Sequence, residues 1–210
     1  GIHLRLDLIL FERSKDLSHL ASLFSPKQSS SNERFLTDAR GILSRETTFY
    51  SIGKLNDSGH DELHVPSDTV IYPLPSKHFP LQSLFDSLSK TNPTLVSITV
   101  NSKDSSILLI ILKGIFNKDS SVVNGAIYGM LITNDLIDKI KSEAFPSEYL
   151  IIISFDNFVI YSNEAKLDKS NILFKGAATD SFVSLGKHWN IEVAPPVKNV
   201  YTSLLLQNNN

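Results

Sequence analysis

One stretch decides the fold: VVNGAIYGMLITNDLIDKIKSEAF, residues Val122–Phe145. Its first part, up to Ile132, is apolar and rich in β-branched residues, which predicts a strand, and Gly125 and Gly129 mark points of close backbone approach. Thr133 suits the N-cap of a following helix. The apolar positions of that helix share one face: Leu136, Ile137, Ile140 and Ala144. The stretch therefore predicts a strand that leads directly into a helix.

The composition predicts an ordinary folded core and excludes several classes of protein. The chain has 210 residues, 41% of them hydrophobic, and a net charge of −2, which gives no electrostatic basis for binding nucleic acid or an anionic membrane. It has no cysteine, which excludes a disulfide framework, thiol catalysis and cysteine-ligated zinc. The longest apolar run, Ile107–Leu112, is far shorter than the roughly 20 residues of a membrane helix. We expect a domain from a longer protein, since the chain begins at Gly1.

Helices are predicted first and a five-stranded sheet after them. Helical periodicity predicts helices at Leu4–Phe24, Glu33–Arg45 and Leu81–Leu88. Apolar and alternating runs predict the strands of the sheet: Phe49–Leu55, Thr69–Tyr72, Thr94–Val100, Ser106–Leu112 and Val122–Ile132. The segment His60–Ser67 is expected to be a loop.

Two hairpins are predicted to form a second sheet. The first pairs Tyr149–Ser154 with Phe158–Ser162, and the second pairs Ser181–Leu185 with His188–Val193 around Gly186-Lys187. Helices followed by two antiparallel sheets indicate an α+β fold.

Four stretches, taken in order, resemble one family, the CHASE domain. They are Leu20–Leu43, Ile107–Gly114 with Asn124–Gly129, Asn134–Ile140, and Gly186–Trp189 with Val193–Pro195. The resemblance implies an N-terminal stalk helix followed by two PAS-like antiparallel sheets. It divides the chain into a stalk and second helix (1–47), a membrane-distal half (48–132), a membrane-proximal half (133–198) and an exit segment (199–210) that leads toward a membrane helix.

The resemblance also implies a function. It identifies an extracytoplasmic ligand-sensing domain, periplasmic or extracellular, of a membrane-anchored receptor such as a sensor histidine kinase or a nucleotide cyclase. A small molecule would bind in the first PAS-like half, without a cofactor, and the chain would form a parallel homodimer through its N-terminal helix, with both chain ends at the membrane-facing pole.

Seven residues of the first half are candidates for the ligand site. Ser97, Thr99, Lys113 and Tyr128 rank first, and the remaining three are Asp86, Leu95 and Ile110. Lys113 either extends outward at the end of its strand or points into the concave face, where it would need Asp86 or an anionic ligand as its partner. Strand alternation does not allow all seven side chains to face inward.

Other functions find less support in the sequence. His60 and His64 have a separation compatible with metal ligation, but without further ligands a solvated loop is the favoured interpretation. No nucleophile–base pair or phosphate-binding loop is visible, so a free-standing enzyme is the weakest hypothesis. A protein-interaction module of the same architecture, without a small-molecule ligand, remains the alternative.

Overall fold

The computed structural model describes residues 2–24, 32–66, 80–100, 106–117, 121–144, 149–163 and 177–194. Its helices are α1 Ile2–Ser22, α2 Asn32–Arg45, α3 Pro80–Asp86 and α4 Thr133–Ala144. Its strands are β1 Phe49–Leu55, β2 Asp61–Val65, β3 Thr94–Val100, β4 Ile107–Phe116, β5 Val123–Ile132, β6 Leu150–Phe155, β7 Phe158–Ser162, β8 Ala178–Ser184 and β9 Lys187–Ala194. The predicted α+β fold, an N-terminal helix followed by two PAS-like antiparallel sheets, is confirmed.

The first sheet has five antiparallel strands in the order β2-β1-β5-β4-β3. The central pair, β4 and β5, is apolar along most of its length and is buried on both faces. The strand β5 leads directly into α4, as predicted. The Thr133 hydroxyl donates to the backbone oxygen of Ile107, 2.7 Å away, so it ties the start of α4 to β4.

The second sheet has four antiparallel strands in the order β7-β6-β9-β8. Its hairpins turn at Asp156-Asn157 and at Leu185-Gly186, where all four residues have positive φ angles between 45° and 73°. Two consecutive positive φ angles are typical of the type I′ turn, whose twist matches that of paired strands. The second turn therefore lies one residue earlier than the predicted Gly186-Lys187.

The predicted loop at His60–Ser67 is wrong, because Asp61–Val65 forms strand β2 and pairs with β1. The side-chain oxygen of Asn56 accepts hydrogen bonds from the backbone N–H groups of Ser58 and His60, each 3.0 Å away. These bonds close a tight turn that brings the polar β2 back along β1.

Strand β4 is also longer than predicted, since it continues past Lys113 to Phe116. The predicted strand Thr69–Tyr72 and the exit segment 199–210 lie outside the described residues.

The chain divides into two compact units, residues 8–136 and residues 1–7 with 137–210. In the first, one face of the five-stranded sheet packs against α1, where Leu17 lies over Gly129. The other face packs against α3 through Leu81 and Phe85. The second unit is built on the four-stranded sheet, where Trp189 is fully buried. Within the described residues, no helix is both long and apolar enough to span a membrane.

We predict that Gly53→Ala destabilises the protein by about 1–3 kcal/mol, the usual cost of overpacking. A Cβ atom at Gly53 would lie 2.2 Å from the Tyr128 ring, which occupies the space above this glycine. Urea unfolding measures the change. Gly41→Ala is the matched control, because no heavy atom lies within 4 Å of its Cβ position and this helical glycine should gain about 0.5–1 kcal/mol. Equal effects of the two substitutions would contradict the packing of Tyr128 over Gly53.

Candidate functional site

The face of the first sheet that packs against α3, here called the α3 face, holds most of the predicted site residues. Strand register places Tyr128 between Gly53 and Leu112, and it places Ile110 between Met130 and Ser97. Side chains of paired residues project to the same face, so these two rows lie side by side. The α3 face also carries Leu95 and Thr99.

The centre of the α3 face is filled by apolar side chains. Ile110 and Tyr128 belong to the buried cluster under α3, and Leu95 packs against it, half-buried. Ser97 and Thr99 are half-buried on β3, the edge strand at the other side of this cluster from β2. Strand β3 is four strand spacings, about 19 Å, from β2. Five of the predicted residues, Leu95, Ser97, Thr99, Ile110 and Tyr128, thus share a face, but an apolar core fills the centre of that face.

Lys113 lies on the opposite face of the sheet from Tyr128 and Ile110. Its Nζ donates to the Thr94 hydroxyl at 2.7 Å, across the β3–β4 pairing. Partial burial lowers the pKa of Lys113. The proposed pairing with Asp86 does not occur, because Asp86 is exposed at the end of α3 and accepts a hydrogen bond from Gln82 at 3.1 Å. Lys113 therefore cannot pair with an anionic ligand bound on the α3 face.

A polar cluster at the β2 end of the α3 face is the candidate site. The Tyr128 ring passes over Gly53, and its hydroxyl donates to Asp61 Oδ1 at 2.9 Å. The second carboxylate oxygen of Asp61 lies 2.7 Å from His64 Nδ1. We call Asp61, His64 and Tyr128 the β2-edge cluster.

In the β2-edge cluster the Tyr128 hydroxyl already donates a hydrogen bond, whereas one nitrogen of His64 has no hydrogen-bond partner among the described residues. Burial, followed by the nearby Asp61 carboxylate, raises the pKa of Tyr128 well above its usual value, so the phenol stays protonated as a donor. An Nδ1 proton directed at Asp61 leaves His64 Nε2 as an acceptor in the neutral imidazole. This atom is buried and has no hydrogen-bond partner in the described part of the chain.

The geometry of the cluster favours a ligand that donates hydrogen bonds. The Asp61 side chain is 30% exposed and carries a negative charge with no lysine or arginine paired to it among the described residues. An ammonium group would bind the Asp61 carboxylate. His64 Nε2 lies on the side of the imidazole ring away from Asp61, so it would need a second donor group of the ligand. Nowhere in the described ranges do three or more metal-ligating side chains come together.

Sequence reasoning identified Tyr128 but missed Asp61 and His64. The histidines of the segment His60-Asp61-Glu62-Leu63-His64 have a spacing compatible with metal ligation, but the prediction of a loop over His60–Ser67 leaves the segment out of the sheet. The available signal is alternation, because polar Glu62 and His64 alternate with apolar Leu63 and Val65 in a segment that follows a tight turn.

Comparison with solved structures identifies domains that share this fold. No family model and no curated protein matches the chain. The ligand-binding domain of the Pseudomonas aeruginosa PAO1 amino acid chemoreceptor PctB, in complex with L-Arg, has a TM-score of 0.67 at 13% identity, over 94% of this chain and 91% of that one. The extracellular domain of vpHK1S-Z8, described as a candidate histidine kinase, has a TM-score of 0.65 at 14% identity, over 92% and 90%.

An extracellular ligand binding receptor from Desulfohalobium retbaense DSM5692 is also similar, with a TM-score of 0.64 at 13% identity. The match covers 91% of this chain but only 38% of that receptor's chain, so this chain spans about two-fifths of its length. At these identities the similarity establishes the fold, which is that of extracytoplasmic sensor domains.

We predict that the Tyr128 phenol makes the fold less stable at alkaline pH. The folded state holds the phenol proton more tightly than the unfolded chain does. The protonated phenol therefore makes its full contribution to the free energy of unfolding below about pH 10, and this contribution is lost as the pH rises further. Urea midpoints measured from pH 7 to pH 11 should fall less steeply in Tyr128→Phe than in the wild type. Tyr50→Phe, which leaves the Tyr128–Asp61 bond intact, is the control, and identical pH profiles for all three proteins would contradict the assignment.

Proposed function

We propose that this chain is the extracytoplasmic ligand-sensing domain of a transmembrane signalling receptor, with a sensor histidine kinase as the parent protein. The observation that carries the proposal is the β2-edge cluster, a partly exposed carboxylate and an unpaired buried imidazole nitrogen on the α3 face of a PAS-like sheet. The fold supports it, because domains with this fold include the L-Arg-binding domain of PctB and the extracellular domain of vpHK1S-Z8.

The finer assignments belong to the same proposal. The CHASE resemblance supports membership of that family, with residues 48–132 as the membrane-distal half and residues 133–198 as the membrane-proximal half. We place the ligand in the first half, at Asp61, His64 and Tyr128. Ser97 and Thr99 lie on β3, about 19 Å across the sheet from β2, which is too far for the same small ligand to reach, so their role stays an untested prediction. Lys113 is left out, because it projects from the other face.

The ligand class follows from the charges at the cluster. The Asp61 carboxylate attracts a cation, so a protonated amine fits it, and His64 Nε2 can accept a hydrogen bond from a second donor of the same ligand. The printed ligand of PctB, L-Arg, has such an amine. We propose a free amino acid or a related small amine as the ligand.

We predict that a saturating member of a panel of amino acids and small amines, with L-arginine as the first probe, raises the melting temperature of the domain. A ligand at 100 times its Kd adds about 2.7 kcal/mol to the free energy of unfolding. Propionate, which lacks the ammonium group, should have no effect. Asp61→Asn should weaken binding at least tenfold in calorimetry, since it removes the charge and keeps the shape.

Lys113→Met is the matched control, because its side chain lies on the face away from the cluster, and its affinity should equal that of the wild type. Failure of every member of the panel to stabilise the domain would contradict a small-molecule site and favour the protein-interaction module. Loss of binding in Lys113→Met alone would contradict the β2-edge cluster as the site.

The outer surface of α1 supports the proposed homodimer. Leu4, Leu8 and Phe11 are each more than half exposed, at 62%, 56% and 62%. Their spacing of i, i+4 and i+7 places them on one stripe of the helix. An apolar stripe left exposed along a helix is typical of a seam between two helices, and a second copy of this chain provides the same stripe.

We predict that Phe11→Lys abolishes self-association of the domain. The isolated domain should dimerise weakly, because the membrane that would hold two copies together is missing. Sedimentation equilibrium at millimolar concentration should detect a dimer in the wild type and only monomer in the variant. Val183→Lys, a substitution at an exposed valine of β8, is the control and should still dimerise. A wild type that stays monomeric at this concentration would contradict the proposal.

A further inference from the structure

The second sheet contains a polar cavity that the proposed function does not use. The cavity has a volume of about 500 Å³, within the range that accommodates small organic ligands. Its lining includes Ser154, Ser181, Asn190, Glu192 and Trp189. All five belong to the second sheet, so the cavity is separate from the β2-edge cluster.

The floor of the cavity is a row of polar side chains across three strands. Register places Ser181, Asn190 and Ser154 side by side on β8, β9 and β6. Ser181 donates to Asn190 Oδ1 at 2.7 Å, which fixes the amide, and Asn190 Nδ2 then donates to Glu192 Oε1 at 3.1 Å. Ser154 is only 6% exposed, and its hydroxyl has no partner among the described residues. A buried hydroxyl that lines a cavity without a partner is a group that a bound molecule would satisfy.

The charges around the cavity favour a cation. Asp156 at its rim is neutralised by Lys187, whose Nζ lies 2.9 Å from Asp156 Oδ2. Glu192 has no lysine, arginine or histidine paired with it in the part of the chain that the structure describes. One carboxylate thus remains for a positively charged group, beside hydroxyl and amide groups that suit the hydroxyls of a ligand.

We propose that this cavity is a second ligand site, specific for a sugar-sized molecule that carries a protonated amine and several hydroxyl groups. Glu192 binds the ammonium group, and the row of Ser154, Asn190 and Ser181 binds the hydroxyls. An amino sugar is the simplest molecule of this class. The site does not depend on the function proposed for the first half.

Trp189 lies beside the cavity, but its indole projects to the other face of the sheet. Strand alternation separates its side chain from that of Asn190, and the indole is buried against Phe155, with 5.0 Å between the ring centroids. Binding is therefore measured by calorimetry, and a variant of Glu192 assigns the heat to this cavity.

The experiment titrates the protein with glucosamine and with glucose in a calorimeter. We expect a saturable heat of binding with glucosamine and at least tenfold weaker binding of glucose, which lacks the ammonium group. Glu192→Gln should remove this preference, so that both sugars bind equally weakly. Ser154→Ala should weaken both sugars alike, and Glu33→Gln, which removes a carboxylate from α2, should behave as the wild type.

Two results would overturn the proposal. One is the absence of a saturable heat of binding with glucosamine up to about 10 mM, above the range of even weak specific binding. The other is equal affinity for glucose and glucosamine in the wild type, which would remove the role of Glu192. Circular dichroism of Glu192→Gln and Ser154→Ala confirms that a loss of signal is not a loss of fold.

Discussion

The antiparallel pairing of β4 with β5 is the constraint on which the first half of the molecule depends. Residues 108–112 and 125–131 are buried on both faces of the sheet, and the pairing runs almost without interruption from Leu108–Ile132 to Phe116–Val123. Strands buried on both sides have few positions for polar side chains. The polar groups of this sheet are therefore found at its edges, and the site is found with them.

Tyr128 is a long polar side chain that is fully buried on the central strand β5, and its position explains the β2-edge cluster. A buried phenol needs an acceptor, and its nearest neighbours are apolar. The absence of a side chain at Gly53 lets the ring cross β1 and reach Asp61 on β2. The same bond holds Asp61 in place beside His64. The geometry of the site therefore depends on how Tyr128 packs in the core.

The sequence was sufficient for the fold class and for most elements, because β4, β5 and both hairpins of the second sheet have strong apolar patterns and turn residues. It was insufficient for β2, whose polar residues at an edge strand lack the apolar run that marks a strand. The site depends on strand register, which decides that Tyr128 and Lys113 project to opposite faces. No local pattern in the sequence reports a pairing between residues 67 positions apart, such as Asp61 with Tyr128.

A crystal structure of the domain grown with L-arginine, or with whichever amine of the panel stabilises it most, tests the central claim most directly. We expect electron density for the ligand on the α3 face, with its ammonium nitrogen within hydrogen-bond distance, about 2.7–3.2 Å, of the Asp61 carboxylate. Ligand density beside Lys113 on the opposite face, or an unchanged β2-edge cluster in a protein that binds the amine elsewhere, would contradict the account.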